Sequence, residues 1–187
     1  MNEQHMVFCA GEDWRRMVQE DILPVALRDV DLGDAALEIG PGPGFTTDVL
    51  RTMAAHLTAV EIDPGLAASL RARLAGENVD VVVGDATALD FPADRFSGAA
   101  SFHMLHHIEP ASSQDLVFAE LARVLVPGST LVAADSGYRE ETVSFHEGDT
   151  YNPVEPEDLP TRLGAAGFVD VDVRVYDLGW VCTARAR

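Results

Sequence analysis

"LEIGPGPGFTTDVL" (residues 37–50) opens as a short apolar run, turns through three glycines and two prolines, and continues with a helical pattern. Such punctuation usually marks a loop. Between a strand and a helix it builds a cradle, because a strand that ends in glycine and re-enters as a helix presents the first helical N–H groups at the carboxyl edge of a sheet. The positive end of the helix dipole adds to that anion-accepting surface. Small residues are required there, since a side chain would hold a ligand off the backbone. Counted from Gly40, the glycines fall at Gly40, Gly42 and Gly44, a GxGxG spacing, and Phe45 stands where a dinucleotide fingerprint GxGxxG has its third glycine.

Outward from this turn, short β-branched or apolar runs alternate with helical patterns: ALEIG (36–40), LTAVEI (57–62), VDVVVGD (79–85), SGAASF (97–102) and STLVAAD (129–135). Helices are expected near 44–55, 65–75 and 112–125, the third capped by Ser112 with Asp115 and stopped at Pro127-Gly128. This is the βαβ rhythm of a doubly wound, mostly parallel α/β sheet. After residue 135 a polar stretch, YREETVSFHEGDTYNPVEPEDL, precedes a short helix ending at Gly167. Then FVDVDVRVYD and GWVCTARAR alternate at period two across Leu178-Gly179, which predicts a closing antiparallel hairpin. Ahead of the sheet, WRRMVQEDILPVALRDV reads as one helix kinked at Pro24 or two short ones. No repeat or long linker divides the 187 residues, so a single domain is expected, with residues 1–34 as a helical cover and 35–187 as the sheet core.

Composition narrows the partners. The chain carries 31 acidic and 13 basic residues, a formal charge of −18, and all the basic ones are arginine. A polyanion or an anionic membrane surface would be repelled, so the charge predicts a small-molecule substrate, with neither nucleic acid nor membrane as a partner. The lack of lysine excludes Schiff-base chemistry and a phosphate-loop NTPase. With no apolar run of membrane-spanning length and no basic-apolar leader at the start, a cytoplasmic location is expected. Cys9 and Cys182 are too few for a disulfide framework or a cysteine metal site.

Two acids accompany the glycine turn. Glu61 closes the second strand, where a carboxylate can accept from both hydroxyls of a ribose, and Asp85 follows the third, where it can accept from an exocyclic amine. Taken in order, ALEIGPGPGFTTDVL, AVEIDPGLAASL, VVVGDATALDFPADRFSGAASFHMLHHI and ELARVLVPGSTLVAADS resemble the successive motifs of class I S-adenosylmethionine-dependent methyltransferases. The resemblance runs over residues 35–187 and is nearest to small bacterial enzymes of the ubiquinone/menaquinone-biosynthesis type. It implies a Rossmann-like sheet of seven strands whose last strand is antiparallel, with S-adenosyl-L-methionine as cofactor. It also implies that Glu38 and the turn Gly40, Pro41, Gly42 and Gly44 surround the methionyl part, that Glu61 holds the ribose, and that Ile62 packs on the adenine. Asp85 and the Ala86 N–H would meet the adenine, and Phe102 and His103 the sulfonium end. Ser97 departs from the aspartate that such relatives often carry after the phenylalanine opening the fourth strand.

A sulfonium-bound methyl group needs an acceptor placed in line, with water excluded, rather than a covalent enzyme intermediate. For a proton-bearing acceptor, His103, His107 and Asp135 are the candidate bases, with His106 and Tyr138 as further ones. No metal site is expected, on the reasoning that adjacent His106 and His107 point apart on a helix. His5 and His146 fall in segments without a readable pattern. Phe8, Trp14 and Met17 are read as a cover for the cleft mouth or as simple packing, and residues 137–156 as a lid. Short covers predict a small substrate or a site completed by a second copy of the chain, a homodimer. Two alternatives stand beside the methyltransferase: a non-catalytic protein that binds the same cofactor, and a nicotinamide-dependent oxidoreductase, which Phe45 and the absence of a Tyr-x-x-x-Lys dyad disfavour.

Overall fold

The computed structural model describes residues 2–187. Its seven strands are β1 (Ala35–Ile39), β2 (His56–Glu61), β3 (Val79–Val83), β4 (Phe96–Phe102), β5 (Leu125–Asp135), β6 (Phe168–Tyr176) and β7 (Gly179–Ala186). They form one sheet in the order β3-β2-β1-β4-β5-β7-β6. The first five run parallel, while β7 lies antiparallel between β5 and β6. The expected doubly wound sheet with its C-terminal hairpin is therefore present. The chain winds outward from β1 to β3 and then crosses to β4, so the strand order reverses between β1 and β4. A crevice opens at the carboxyl ends of strands at such a reversal.

Alternation along the central strands divides the core in two. Leu37, Ile39, Ala99, Leu131 and Ala133 face one apolar layer with α6 (Ala111–Val124) and α8 (Leu159–Ala166), where Phe118, Leu121, Leu163 and Trp180 are buried. Ala36, Ala100, Val132 and Ala134 face the other, covered by Val18, Ile22, Leu23 and Ala26 from the N-terminal segment. A third, smaller cluster packs Ala67, Leu70 and Leu74 of α5 (Pro64–Arg73) and the turn after it on Val81. Burying the sheet on both faces explains why its inner strands read as nearly continuous apolar runs.

The N-terminal segment is helical at α1 (Glu3–Cys9), α2 (Glu12–Arg16) and α3 (Leu23–Ala26), with π-helical turns at Met17–Ile22 joining the last two. The expected break at Pro24 is replaced by a change of ladder. Leu23 N–H donates to Val18 five residues back, and Pro24, which has no N–H, sits at the start of the following α-turn. The helix after the glycine turn, α4 (Thr47–Leu50), is much shorter than the expected 44–55. Thr52 and Met53 donate to carbonyls three residues back, which tightens the last turn and ends it.

Two further expectations change at α6. Ser112 does not cap it: Pro110 holds the cap position without a side-chain bond, and Asp115 pairs with Arg162 Nε at 2.7 Å. The helix also ends at Val124 rather than Pro127. Asp94 and Arg95 N–H donate to the Arg123 and Val124 carbonyls, and Leu125 already pairs with Phe96 in the sheet. Ser97 has its own task at the foot of β4, donating to the Leu32 carbonyl while accepting from Ala35 N–H. Among the described residues, no helix is long and apolar enough to cross a membrane.

Candidate active site

The turn between β1 and α4 places Gly40, Gly42 and Gly44 at φ of +68°, +54° and +89°. A side chain at Gly40 would lie 2.3 Å from Met104 Cγ, whereas the space over Gly42 is open. Gly44 serves a different purpose, because a Cβ there would strike Leu70 and Arg73. Arg73 staples the turn from outside, donating to the Pro43 and Gly44 carbonyls and pairing with Asp48 at 2.7 Å.

Glu38 locks the turn from beneath. It is buried, and accepts from Thr46 Oγ1 and, at 2.7 Å, from Thr47 Oγ1. Burial pushes its carboxyl up to about 7 against the pull of those two hydroxyls. Glu61 ties the turn to β2, accepting from Gly42 N–H at 3.0 Å and from Asp63 N–H at 3.0 Å. A carboxylate offers about four acceptor positions, so capacity remains on the cleft side.

A cleft of about 920 Å³ opens along this edge, a volume suited to a cofactor together with part of an acceptor. Of the residues singled out for cofactor binding, Gly40, Pro41, Gly42, Glu61, Ile62, Asp85, Ala86, Phe102 and His103 line it; Glu38 and Gly44 support it from behind. Ile62 is 68% exposed, an apolar side chain offered to the cleft. Asp85 accepts from Thr87 N–H and Oγ1 through Oδ1, so Oδ2 is the oxygen not used by that turn. The N-terminal segment serves both readings made of it: Trp14, Val18 and Ile22 line the cleft, and Met17 packs in the core layer behind it.

At the far end of the cleft the residues come from distant segments. His103 has φ of +50°, a left-handed backbone that costs a non-glycine residue about 1–3 kcal/mol and collects at working sites. Its ring meets Trp14 edge-on at 5.1 Å, and its Nε2 is buried without a hydrogen-bond partner among the described residues. Burial lowers His103 to about 4. His107 also lines the cleft and is lowered to about 3, burial again being the main cause. Asp135 does not reach the cleft. It is fully buried and accepts from His106 Nδ1 at 2.5 Å, His106 N–H and Ser136 N–H. Burial raises its carboxyl, yet the nearby His106 and His103 hold it below the usual range.

The argument that His106 and His107 point apart fails. They occupy a tight 3₁₀ turn (Leu105–His107), their rings lie 4.1 Å apart, and His5 and His146 join them. Sequence reading missed Arg73, Thr46 and the inward faces of His5 and His146. Only the Thr46-Thr47 pair beside the glycines offered a local signal.

Residues 37–133 match the family described as methyltransferase domain. A probable ribosomal RNA small subunit methyltransferase A of Methanothermobacter thermautotrophicus is 52% identical over 64 residues, 34% of this chain and 23% of that protein. The chain spans less than two-fifths of the length of the curated relatives it matches. Among solved structures, a Pyrococcus horikoshii protein aligns with TM-score 0.81 and 16% identity over 97% of this chain and 95% of its own. An S-adenosylmethionine-dependent methyltransferase of Mesorhizobium loti aligns with TM-score 0.74 and 16% identity over 90% and 99%. The names of the curated relatives overturn the expectation of a small-molecule substrate and no nucleic acid, which rested on net charge and on the short covers of the cleft. Charge summed over a whole chain does not describe the local surface at a cleft mouth. With its glycine cradle, its two strand-end acids and its family match together, this chain belongs to the methyltransferase-domain family.

Proposed function

We propose that the chain transfers a methyl group from S-adenosyl-L-methionine to an RNA acceptor entering at the histidine end of the cleft. The observation that carries the cofactor half is the open, left-handed backbone at Gly42, tied by its N–H to Glu61 at 3.0 Å. When bound, the cofactor supplies a sulfonium-activated methyl group, and the chain's residues bind, orient and exclude water. Glu61 would accept from the ribose hydroxyls, Asp85 Oδ2 and the Ala86 N–H would meet the adenine edge, and Ile62 would cover its face. The turn Gly40–Gly44 would take the methionyl end, with Glu38 holding the turn in shape through Thr46 and Thr47. Phe102 and Trp14 wall the space beyond. Orienting the two reactants in this way contributes roughly 7–11 kcal/mol in favourable cases.

Where the acceptor carries a proton, His103 Nε2 is placed to receive it, being unpartnered and neutral at pH 7. A base in reach adds about 10² to 10⁴ fold. His107 stands beside it in the cleft wall, and Asp135 acts at a remove by holding the His106 ring. The N-terminal cover (1–34) and the connection 137–156 supply Trp14, Asp149 and Thr150 to the mouth, and so bear on acceptor choice.

RNA is the acceptor class supported by the curated relatives' names. The test is transfer of labelled methyl from the cofactor to ribosomal RNA fragments over a salt series. Incorporation at one or more salt concentrations is expected. No incorporation at any salt, by protein shown to bind cofactor, refutes the RNA acceptor while leaving the cofactor site standing.

A further inference from the structure

Four of the six histidines meet where three separate segments converge: His5 on α1, His106 and His107 after β4, and His146 after α7 (Glu140–Phe145). One nitrogen of each lies within 4.8 Å of the others. His5, His106 and His146 are buried, each 4% exposed, and His107 is half-buried.

Three of the four rings are held at Nδ1, which leaves Nε2 for another partner. His5 Nδ1 is 3.1 Å from Asp149 Oδ2, and His106 Nδ1 is 2.5 Å from Asp135 Oδ1. His146 Nδ1 lies 2.7 Å from the Thr142 carbonyl. A carbonyl can only accept, so that nitrogen carries the proton and Nε2 of His146 carries a lone pair. This nitrogen and His107 Nδ1 are both buried without a hydrogen-bond partner among the described residues. Buried imidazole nitrogens in native proteins are nearly always satisfied, and two unsatisfied ones aimed into one cluster call for a ligand.

We propose that His5, His106, His107 and His146 form a binding site for a four-coordinate divalent transition-metal ion of the zinc type, with Asp149 and Asp135 fixing two of the rings. The donor set selects the ion. Four imidazoles without thiolate suit zinc, nickel or copper, whereas magnesium and calcium require oxygen. Tetrahedral nitrogens at zinc–nitrogen distances of about 2.0–2.1 Å sit roughly 3.4 Å apart, within reach of small side-chain rotations from the present spacing. Neutral rings are the ligating form. Carboxylate or carbonyl bonds to the far nitrogen are the usual means of orienting such ligands.

The site would join the N-terminal cover and the 137–156 connection to the turn that carries His103. Because His107 also lines the cleft, the ion would lie behind the wall of the acceptor chamber and fix both covers around it.

The full chain, stripped by chelator and verified as folded by circular dichroism, is titrated with zinc in a calorimeter and with cobalt in a spectrophotometer. The proposal expects one equivalent bound, the intense visible bands of tetrahedral cobalt, and a higher melting temperature with zinc. His5→Gln and His146→Gln should each weaken zinc binding by roughly tenfold or more. His56→Gln, at the exposed start of β2, should leave it unchanged. Absence of zinc binding, a six-coordinate cobalt spectrum in the wild-type chain, equal loss in His56→Gln, or full retention in both cluster variants would overturn it.

Discussion

The two ends of the cleft are built on opposite plans. At the cofactor end, the turn Gly40–Gly44, Glu61 and Asp85 all sit on or just after strand ends, and sheet register places them. At the histidine end only His103, one residue past β4 with its N–H bonded to the Ala134 carbonyl, continues a ladder; His5 reaches Asp149 across 144 positions of chain, and Trp14 meets the His103 ring from the N-terminal segment. One end is specified by topology and the other by tertiary convergence. Variants should therefore separate cofactor binding from turnover.

The largest effect is expected at Gly40. Valine there must adopt φ of +68° and place its Cβ against Met104, so Gly40→Val should abolish cofactor binding measured by calorimetry and lower the melting temperature. Retained binding would break the topological half of the contrast.

At the opposite end, His103→Gln should lower turnover by about 100-fold with a proton-bearing acceptor, while cofactor affinity stays within about twofold. Parallel losses in both would show that the two ends are not separable. Glu61→Gln keeps the shape but removes the charge, and should cost about 10-fold in cofactor affinity, with little further change in turnover at saturating cofactor.

The smallest effect concerns the support beneath the turn. The folded state holds the Glu38 proton up to about pH 7, whereas the unfolded chain releases it near 4.5. The folded form thus binds more protons in that window, and stability must fall as pH rises through it. The contribution is at most about 3 kcal/mol. Glu38→Gln should flatten the pH dependence of the urea midpoint between pH 4.5 and 7, and an unchanged slope would remove Glu38 as its source.

The same contrast explains what could be read from the sequence. Strand positions, the closing hairpin and the cleft-facing glycines and acids were readable because each depends on local alternation or on spacing within a βα unit. Phe45 in place of a third glycine even indicated the kind of cradle. The length of α4, the π-helical turns before Pro24 and the missing cap at Ser112 were not, since each is decided by bonds to residues elsewhere. The histidine cluster was misread for the same reason. Adjacent residues do point apart on an α-helix, but His106 and His107 lie in a 3₁₀ turn, and His5 and His146 arrive from both ends of the chain. The charge argument failed differently, since a sum over 187 residues carries no information about where an acceptor lands.

The central claim is that the carboxyl edge of β1, β2 and β3 is the cofactor site. Calorimetric titration with S-adenosylhomocysteine, repeated on Glu61→Ala and Asp85→Ala, tests it most directly. One site per chain, weakened in each variant and indifferent to NADH, is the predicted result; unchanged affinity in both variants, or binding of NADH alone, would contradict it.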